Sequence, residues 1–147
     1  MKLWRSKLAA WLPQLNYQIW ILAIGRMLSQ MGSGFTLFYA PIFFVNQVGL
    51  SATLVGLGLG SQSISGVIGR FLGGSLSDGK FGRKRTVLLS AVISAIAAFV
   101  MAFATNFPMF VLANLLMGLG IGLFWPSAEA LVADLAAPQD RNEAFAL

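Results

Sequence analysis

Residues 74–85 read GSLSDGKFGRKR, and they separate two long apolar segments of the chain. The stretch contains one acidic residue, Asp78, and the following basic residues: Lys80, Arg83, Lys84 and Arg85. Its two internal glycines, Gly79 and Gly82, permit a tight turn. A short charged turn between two apolar segments is typical of a loop that joins antiparallel membrane helices outside the bilayer. The sequence therefore predicts a polar loop at 78–85 with a helix on each side.

The composition is that of a chain whose main solvent is lipid. Of its 147 residues, 57% are hydrophobic and 10% are charged, and the mean hydropathy is +0.77. The lack of cysteine and histidine excludes disulfides, cysteine nucleophiles, thiolate zinc sites and histidine acid–base chemistry. The net charge of +5 comes from cations that lie between apolar segments, so nucleic-acid binding is not predicted. We also predict no metal site and no cofactor.

Four segments are long and apolar enough to form transmembrane helices, because a bilayer core about 30 Å thick needs about 20 mainly apolar residues. These segments are residues 17–45, 51–77, 86–105 and 109–133. The connections between them are short, which makes neighbouring helices antiparallel. The sequence thus predicts an all-α membrane protein. It is a polytopic bundle of four complete transmembrane helices followed, within residues 134–147, by a cytoplasmic loop and the start of a fifth helix.

Basic residues mark one side of the predicted bundle. Lys2, Arg5 and Lys7 precede the first helix, the basic loop joins the second helix to the third, and the two opposite connections carry no charge. The positive-inside rule therefore predicts a cytoplasmic N-terminus, residues 1–16, in a multi-pass protein of the plasma (inner) membrane. Within this terminus, an interfacial amphipathic helix over residues 2–12 and a frayed tail are the two alternatives.

Glycines recur at four-residue spacing in the second and fourth predicted helices. Such spacing lets two helix backbones approach each other closely, so we expect these glycines to pack against neighbouring helices. They are Gly56 and Gly60, Gly69 and Gly73, and Gly118 and Gly122. The pattern is weak as an indicator of function, because the chain holds 16 glycines in all.

A short internal repeat relates the first predicted helix to the fourth. The pattern R-x-L-x-x-x-G-x-G begins at Arg26, and N-x-L-x-x-x-G-x-G begins at Asn114. A three-helix unit repeated with inverted topology, as secondary transporters often contain, would produce this match. The alternative is a coincidence among glycines.

Polar side chains lie along one face of the first predicted helix. Arg26 lies about 13 Å into this helix at 1.5 Å per residue, too deep for its side chain to reach the headgroups. Gln30 and Ser33 continue the same face at helical spacing. This stripe indicates either a solute pathway or a hydrogen-bonded contact that holds two helices together, and the sequence leaves both alternatives open.

Residues 74–85 also resemble the signature G-x-L-x-D-(R/K)-x-G-R-(R/K) of the major facilitator superfamily, at the position between the second and third spans where that family carries it. The resemblance implies a transporter with no enzymatic activity, in which this loop acts as a conformational latch. By the same resemblance, the latch residues are Gly74, Leu76, Asp78, Gly82, Arg83 and Lys84, with Asp134 as an acidic partner at the end of the fourth span.

The chain departs from the family pattern in four ways. One extra residue separates Asp78 from Gly82, and Gly79 occupies a position that is usually basic. Asn114 stands where many proton antiporters of the family carry arginine, which weakens a carry-over of proton antiport. The family fold has twelve spans in two halves, whereas this sequence reaches Leu147 as a fifth span begins. We therefore expect an incomplete sequence, with the C-terminal transmembrane helices as missing partners.

The leading hypothesis is a secondary transporter that moves a small solute by alternating access. A cavity lined by Arg26, Gln30, Ser33 and Asn114 would form its solute pathway. The alternative is a four-helix membrane protein that assembles or binds through its glycine faces and transports nothing. An intramembrane enzyme is disfavoured, because the serines of the second helix have no histidine to activate them.

Overall fold

The computed structural model of the chain describes residues 17–135, which form four helices joined by short loops. The helices are α1 (Tyr17–Asn46), α2 (Ala52–Asp78), α3 (Arg83–Ala102) and α4 (Phe107–Leu135). Residues 17–135 contain no strand, and each helix is long and apolar enough to cross a membrane. The predicted all-α membrane fold is therefore confirmed. The predicted terminus 1–16 and the predicted start of a fifth helix in 136–147 lie outside the described residues.

The third helix differs from its predicted span at both ends. It begins at Arg83 and ends at Ala102, whereas the apolar pattern predicts 86–105. The basic residues before Thr86 were interpreted as loop, yet they form the first helical turn, and the Thr86 N–H donates to the Gly82 carbonyl at 3.1 Å. The loop between α2 and α3 is consequently shorter than predicted and comprises residues 79–82.

Local hydrogen bonds determine where α1 ends and where α2 begins. After α1, Gly49 adopts a φ of +76°, a backbone conformation that glycine reaches without steric strain, and the Leu50 N–H returns to the Phe44 carbonyl at 2.9 Å. Ser51 then caps α2, because its hydroxyl accepts a 3.3 Å hydrogen bond from the Leu54 N–H. The connection therefore reverses the chain direction within a few residues.

The fourth helix begins with a similar cap. The Asn106 side-chain oxygen accepts a 3.0 Å hydrogen bond from the Met109 N–H, which satisfies one of the free N–H groups of the first turn. Pro108 lies within that first turn, where its missing N–H costs nothing. These two residues explain why α4 begins at Phe107, two residues before the predicted start.

Close contact between α2 and α4 forms the centre of the bundle. A Cβ atom added at Gly69 would lie 2.7 Å from the Leu119 carbonyl oxygen, and one added at Gly73 would lie 2.9 Å from the Leu123 Cα. On the facing helix, a Cβ at Gly122 would lie 2.8 Å from the Gly69 Cα. Glycines on both helices thus allow the two backbones to touch.

The packing role expected of Gly56 and Gly60 has no partner within residues 17–135 and stays a prediction. A Cβ atom at either position would have no neighbour within 4 Å, and both residues are exposed. Their four-residue spacing places them on the face of α2 that points away from α4. On the same helix Gly58 makes the close contact instead, because the Phe110 ring occupies the space that its side chain would need.

An aromatic cluster closes the end of the bundle opposite the 79–82 loop. The rings of Phe44 and Phe110 pack with their centroids 4.1 Å apart, and both side chains are buried. Val55 and Ala104 complete this core from α2 and from the loop before α4. Contacts of α1 with the remaining helices are sparse, and much of its apolar surface faces outward. In a membrane such a surface is compatible with lipid.

Candidate functional site

Three charged side chains meet at the end of the bundle that contains the 79–82 loop, which we call the charged end. Arg83 pairs closely with the Asp134 carboxylate through Nη1 and donates a 3.0 Å hydrogen bond to the Ala130 carbonyl. Its Nη2 lies 4.0 Å from the Asp78 carboxylate, too far for a hydrogen bond. Arg83 therefore contacts α4 more closely than it contacts α2.

Helix dipoles explain the position of this arginine. Asp78 is the last residue of α2, where the partial negative charge of a helix C-terminus disfavours a carboxylate. Arg83 is the first residue of α3, where the positive end disfavours a cation. Bringing the three together offsets both penalties. The resemblance emphasised Asp78, whereas the closer partner is Asp134.

The loop before Arg83 requires glycine at one position. Gly82 has φ +85° and ψ 154°, a region that is accessible essentially to glycine alone. Its N–H donates to the Leu76 carbonyl at 3.3 Å, and its carbonyl accepts 3.0 Å and 3.1 Å hydrogen bonds from the Thr86 hydroxyl and N–H. Gly82 therefore links the last turn of α2 to the first turn of α3 and fixes the start of α3 at Arg83.

The remaining residues of the predicted latch make fewer contacts. Lys84 is exposed, and Leu76 is half-buried. A Cβ added at Gly74 would meet nothing within 4 Å, although the Gly74 carbonyl accepts a 3.2 Å hydrogen bond from the Ser77 hydroxyl. In residues 17–135, the close contacts of the signature are therefore concentrated at Gly82 and Arg83.

The first of two neighbouring cavities lies between α1, α3 and α4 and has a volume of about 330 Å³. Arg26 and Gln30 line it from α1, Ser94 lines it from α3, and Trp125 lines it from α4. The guanidinium carbon of Arg26 lies 4.2 Å from the centroid of the Trp125 ring, which is a cation–π contact. Arg26 is the one charged residue among those that line this cavity.

The environment of Arg26 does not balance its charge. A cation near the centre of a membrane helix costs about 2.5–3.5 kcal/mol on insertion scales. The cation–π contact with Trp125 offsets roughly 0.5–2 kcal/mol of this cost. Within residues 17–135, no carboxylate lies within 4.0 Å of Arg26, because both ion pairs there belong to Arg83.

The second cavity has a volume of about 290 Å³ and is lined by Gln30, Ser33, Gln62 and Asn114 among others. Asn114 is 1% exposed, and its amide donates a 2.8 Å hydrogen bond to the Phe110 carbonyl one turn earlier on α4. Gln30 lines both cavities. The structure thus divides the four predicted pathway residues between two adjacent spaces that share one side chain.

Sequence reasoning missed Trp125 and Ser94 as lining residues. Trp125 lies next to Pro126 deep in an apolar helix, whereas membrane-protein tryptophans concentrate at the interfaces. That unusual depth was a usable signal. Ser94 gave no such signal, because a serine in a membrane helix usually bonds its own backbone. Trp125 also borders a third cavity of about 390 Å³, together with Arg70, Pro126 and Glu129.

The internal repeat is not matched by similar surroundings. Gly32 and Gly34 of α1 would accept a Cβ with nothing within 4 Å. Their counterparts on α4, Gly120 and Gly122, press against α3 and α2 respectively. The sequence match between the two helices therefore does not extend to how they pack within residues 17–135.

Comparison with known proteins gives consistent relatives. The sequence model of the Major Facilitator Superfamily matches residues 22–147. The chain is 32% identical over 128 residues to the uncharacterised MFS-type transporter YqjV of Bacillus subtilis (strain 168), covering 87% of this chain and 31% of that protein. It is 25% identical over 131 residues to the quinolone resistance protein NorA of Staphylococcus aureus (strain N315), covering 89% and 33% respectively. The chain spans about a third of the length of these relatives.

Proposed function

Because the chain belongs to the major facilitator superfamily, as its family match and its relatives show, we propose that it moves a small organic solute across the membrane by alternating access. The observation that carries this proposal is the pair of cavities that share Gln30. Arg26, Gln30, Ser33 and Asn114 line these two cavities, which supports a polar solute route between apolar helices. Polar groups at this depth are costly in a membrane, and their usual role is to meet a solute.

The charged end supplies a latch for this movement. Arg83 spans from α3 to Asp134 of α4 and approaches Asp78 of α2 at 4.0 Å. All three side chains are partly exposed, so each ion pair stabilises the closed arrangement by only about 0–1 kcal/mol. A contact of this size can form and break readily as the helices move. The latch would therefore bias the two access states without locking either one.

The distribution of basic residues sets the proposed orientation. The loop between α2 and α3 contains Lys80, and the first turn of α3 carries three more cations. The connections at the other end, residues 47–51 and 103–106, carry no charge. By the positive-inside rule, the charged end faces the cytoplasm of a plasma (inner) membrane. The latch would then close the cytoplasmic side of the solute route.

The alternative is a four-helix protein that assembles through its glycine faces. It would need those faces to remain available on the outside of the bundle. Instead Gly69 and Gly122 face each other between α2 and α4, and Gly73 lies against Leu123. These contacts disfavour an assembly through Gly69, Gly73 and Gly122, whereas Gly56 and Gly60 remain exposed and open to a further helix.

Solute flux tests the proposal directly. The protein is reconstituted into proteoliposomes and supplied with radiolabelled organic anions, cations and neutral solutes. We expect saturable uptake of at least one class. Replacing Arg83→Gln should slow that uptake several-fold and leave equilibrium binding of the same solute unchanged, because the latch lies away from both cavities.

The matched control is Arg85→Gln, which removes the same charge from an exposed position in the same helical turn. It should leave uptake unchanged. Leak-level flux for every class, with the protein folded and correctly inserted, would contradict the transporter. Equal uptake by the Arg83 and Arg85 variants would contradict the latch.

A further inference from the structure

The cavity between α1, α3 and α4 has chemical features that narrow the class of solute. Its single charged lining residue is the cation Arg26, which lies in the interior of α1. No carboxylate of residues 17–135 lies within 4.0 Å of this guanidinium, and its aromatic partner Trp125 contributes no formal charge. The charged group that this cavity presents to a solute is therefore a cation. Such a site attracts one anionic group and repels cations.

The rest of the lining is suited to a flat apolar group. Ile21, Ile121, Phe124 and Trp125 surround the space with aliphatic and aromatic side chains. The volume of about 330 Å³ is at the lower end of the range for small-molecule sites. A space of this size accommodates a solute of one or two fused rings. Aromatic rings stack favourably against such side chains.

We propose that this cavity binds a small aromatic carboxylate, with Arg26 holding the carboxylate and the rings of Phe124 and Trp125 packing against the aromatic part. The inference rests on the proposed transport function and assigns that route a substrate class. A guanidinium binds a carboxylate through two parallel N–H donors, which is a stronger contact than the one it makes with the Trp125 face. Gln30, at the junction with the second cavity, would receive the solute as it moves on.

A purely structural contact between Arg26 and Trp125 makes a different prediction. If this pair only joins α1 to α4, its loss would weaken the bundle but would not change the preference between solutes of opposite charge. A cationic solute, by contrast, would compete with Arg26 for the Trp125 face. The charge preference of binding therefore separates these cases.

The experiment measures equilibrium binding to the protein in lipid nanodiscs with two probes that share one ring system, 2-naphthoate and 2-naphthylmethylammonium. Octanoate serves as a carboxylate without a ring. We expect 2-naphthoate to bind at least about tenfold more tightly than either of the others, since one charge-assisted bidentate contact supports a difference of that order. Arg26→Gln should reduce the preference for 2-naphthoate over the ammonium probe to near unity. Arg26→Lys should retain part of it, because lysine keeps the charge without the paired donors.

Arg85→Gln is the matched control and should leave the preference unchanged. Equal or tighter binding of the ammonium probe to the unsubstituted protein overturns the inference, as does an unaltered preference in Arg26→Gln. If Arg26→Gln does not fold, the probe preference of the unsubstituted protein and of Arg26→Lys still decides. Uptake of cations alone in proteoliposomes would contradict this substrate class and leave transport standing. Tight naphthoate binding without flux of any solute would contradict transport and leave the binding site standing.

Discussion

Replacing Gly69→Ala should destabilise the bundle by forcing α2 and α4 apart. The new Cβ would lie 2.7 Å from the Leu119 carbonyl oxygen and 3.0 Å from the Gly122 Cα. The first distance is about 0.7 Å short of the 3.4 Å at which a Cβ contact becomes ordinary, and both neighbours are backbone atoms that cannot rotate away. The helices must therefore separate along their main interface. Overpacking of this kind costs about 1–3 kcal/mol.

The matched control is Gly60→Ala on the same helix. Nothing lies within 4 Å of a Cβ at that position, so the substitution adds no clash and lowers the conformational entropy of the unfolded chain. We expect a change between zero and a gain of about 1 kcal/mol, from helix propensity alone. The two variants have the same chemistry and differ only in what the added methyl group meets.

The assay is unfolding of the purified protein in mixed micelles by increasing SDS, followed by far-ultraviolet circular dichroism. Gly69→Ala should unfold at a lower SDS fraction than the unsubstituted protein, and Gly60→Ala at the same or a higher fraction. Equal stability of the two variants would refute the close approach of α2 and α4. A larger loss for Gly60→Ala would show that the other face of α2 forms the packed interface.

Three further predictions use the same unfolding assay. Gly82→Ala should lower the free energy of unfolding by about 1–3 kcal/mol, because a φ of +85° with a ψ of 154° is strained for alanine. The control Gly74→Ala, where the new methyl group meets nothing within 4 Å, should leave the free energy of unfolding nearly unchanged. Phe110→Ala should lower the free energy of unfolding by about 3–5 kcal/mol through the cavity left beside Phe44, and the control Phe71→Ala, at a position 78% exposed, should change it little; equal losses would contradict the aromatic core. Arg83→Gln should lower the free energy of unfolding by no more than about 1 kcal/mol, since the ion pairs of Arg83 are partly exposed. A much larger loss of stability would contradict the role of a readily broken latch.

The helices could be predicted because lipid imposes a simple requirement on length and apolar composition. The turns between them could be located from Gly49, Ser51, Asn106 and Pro108, each of which acts within a few residues of itself. The exception is the start of α3. Basic residues were assigned to the loop by their charge, but a helix that emerges from the membrane can carry them on its first turn, provided that Gly82 lets the chain enter at the necessary angle.

Packing and site geometry were less predictable, because they depend on how each helix is rotated. The spacing of Gly56 and Gly60 is the same as that of Gly69 and Gly73, yet only the second pair faces α4. No local pattern distinguishes the two. In the same way, the depth of Arg26 could be counted along the sequence, but its partner Trp125 lies on a helix 99 positions away and required the fold. Sequence reasoning thus identified polar and charged side chains inside the membrane helices more readily than it identified the residues that they contact.

Labelling of single cysteines tests the central claim that the chain crosses the bilayer four times with its charged end in the cytoplasm. The sequence contains no cysteine, so Gln47→Cys, Lys80→Cys and Thr105→Cys each create one reactive site on a different connection. A membrane-impermeant maleimide applied to intact cells should label positions 47 and 105 and should reach position 80 only after the membrane is permeabilised. Labelling of position 80 in intact cells to the same extent as position 47 would contradict the account.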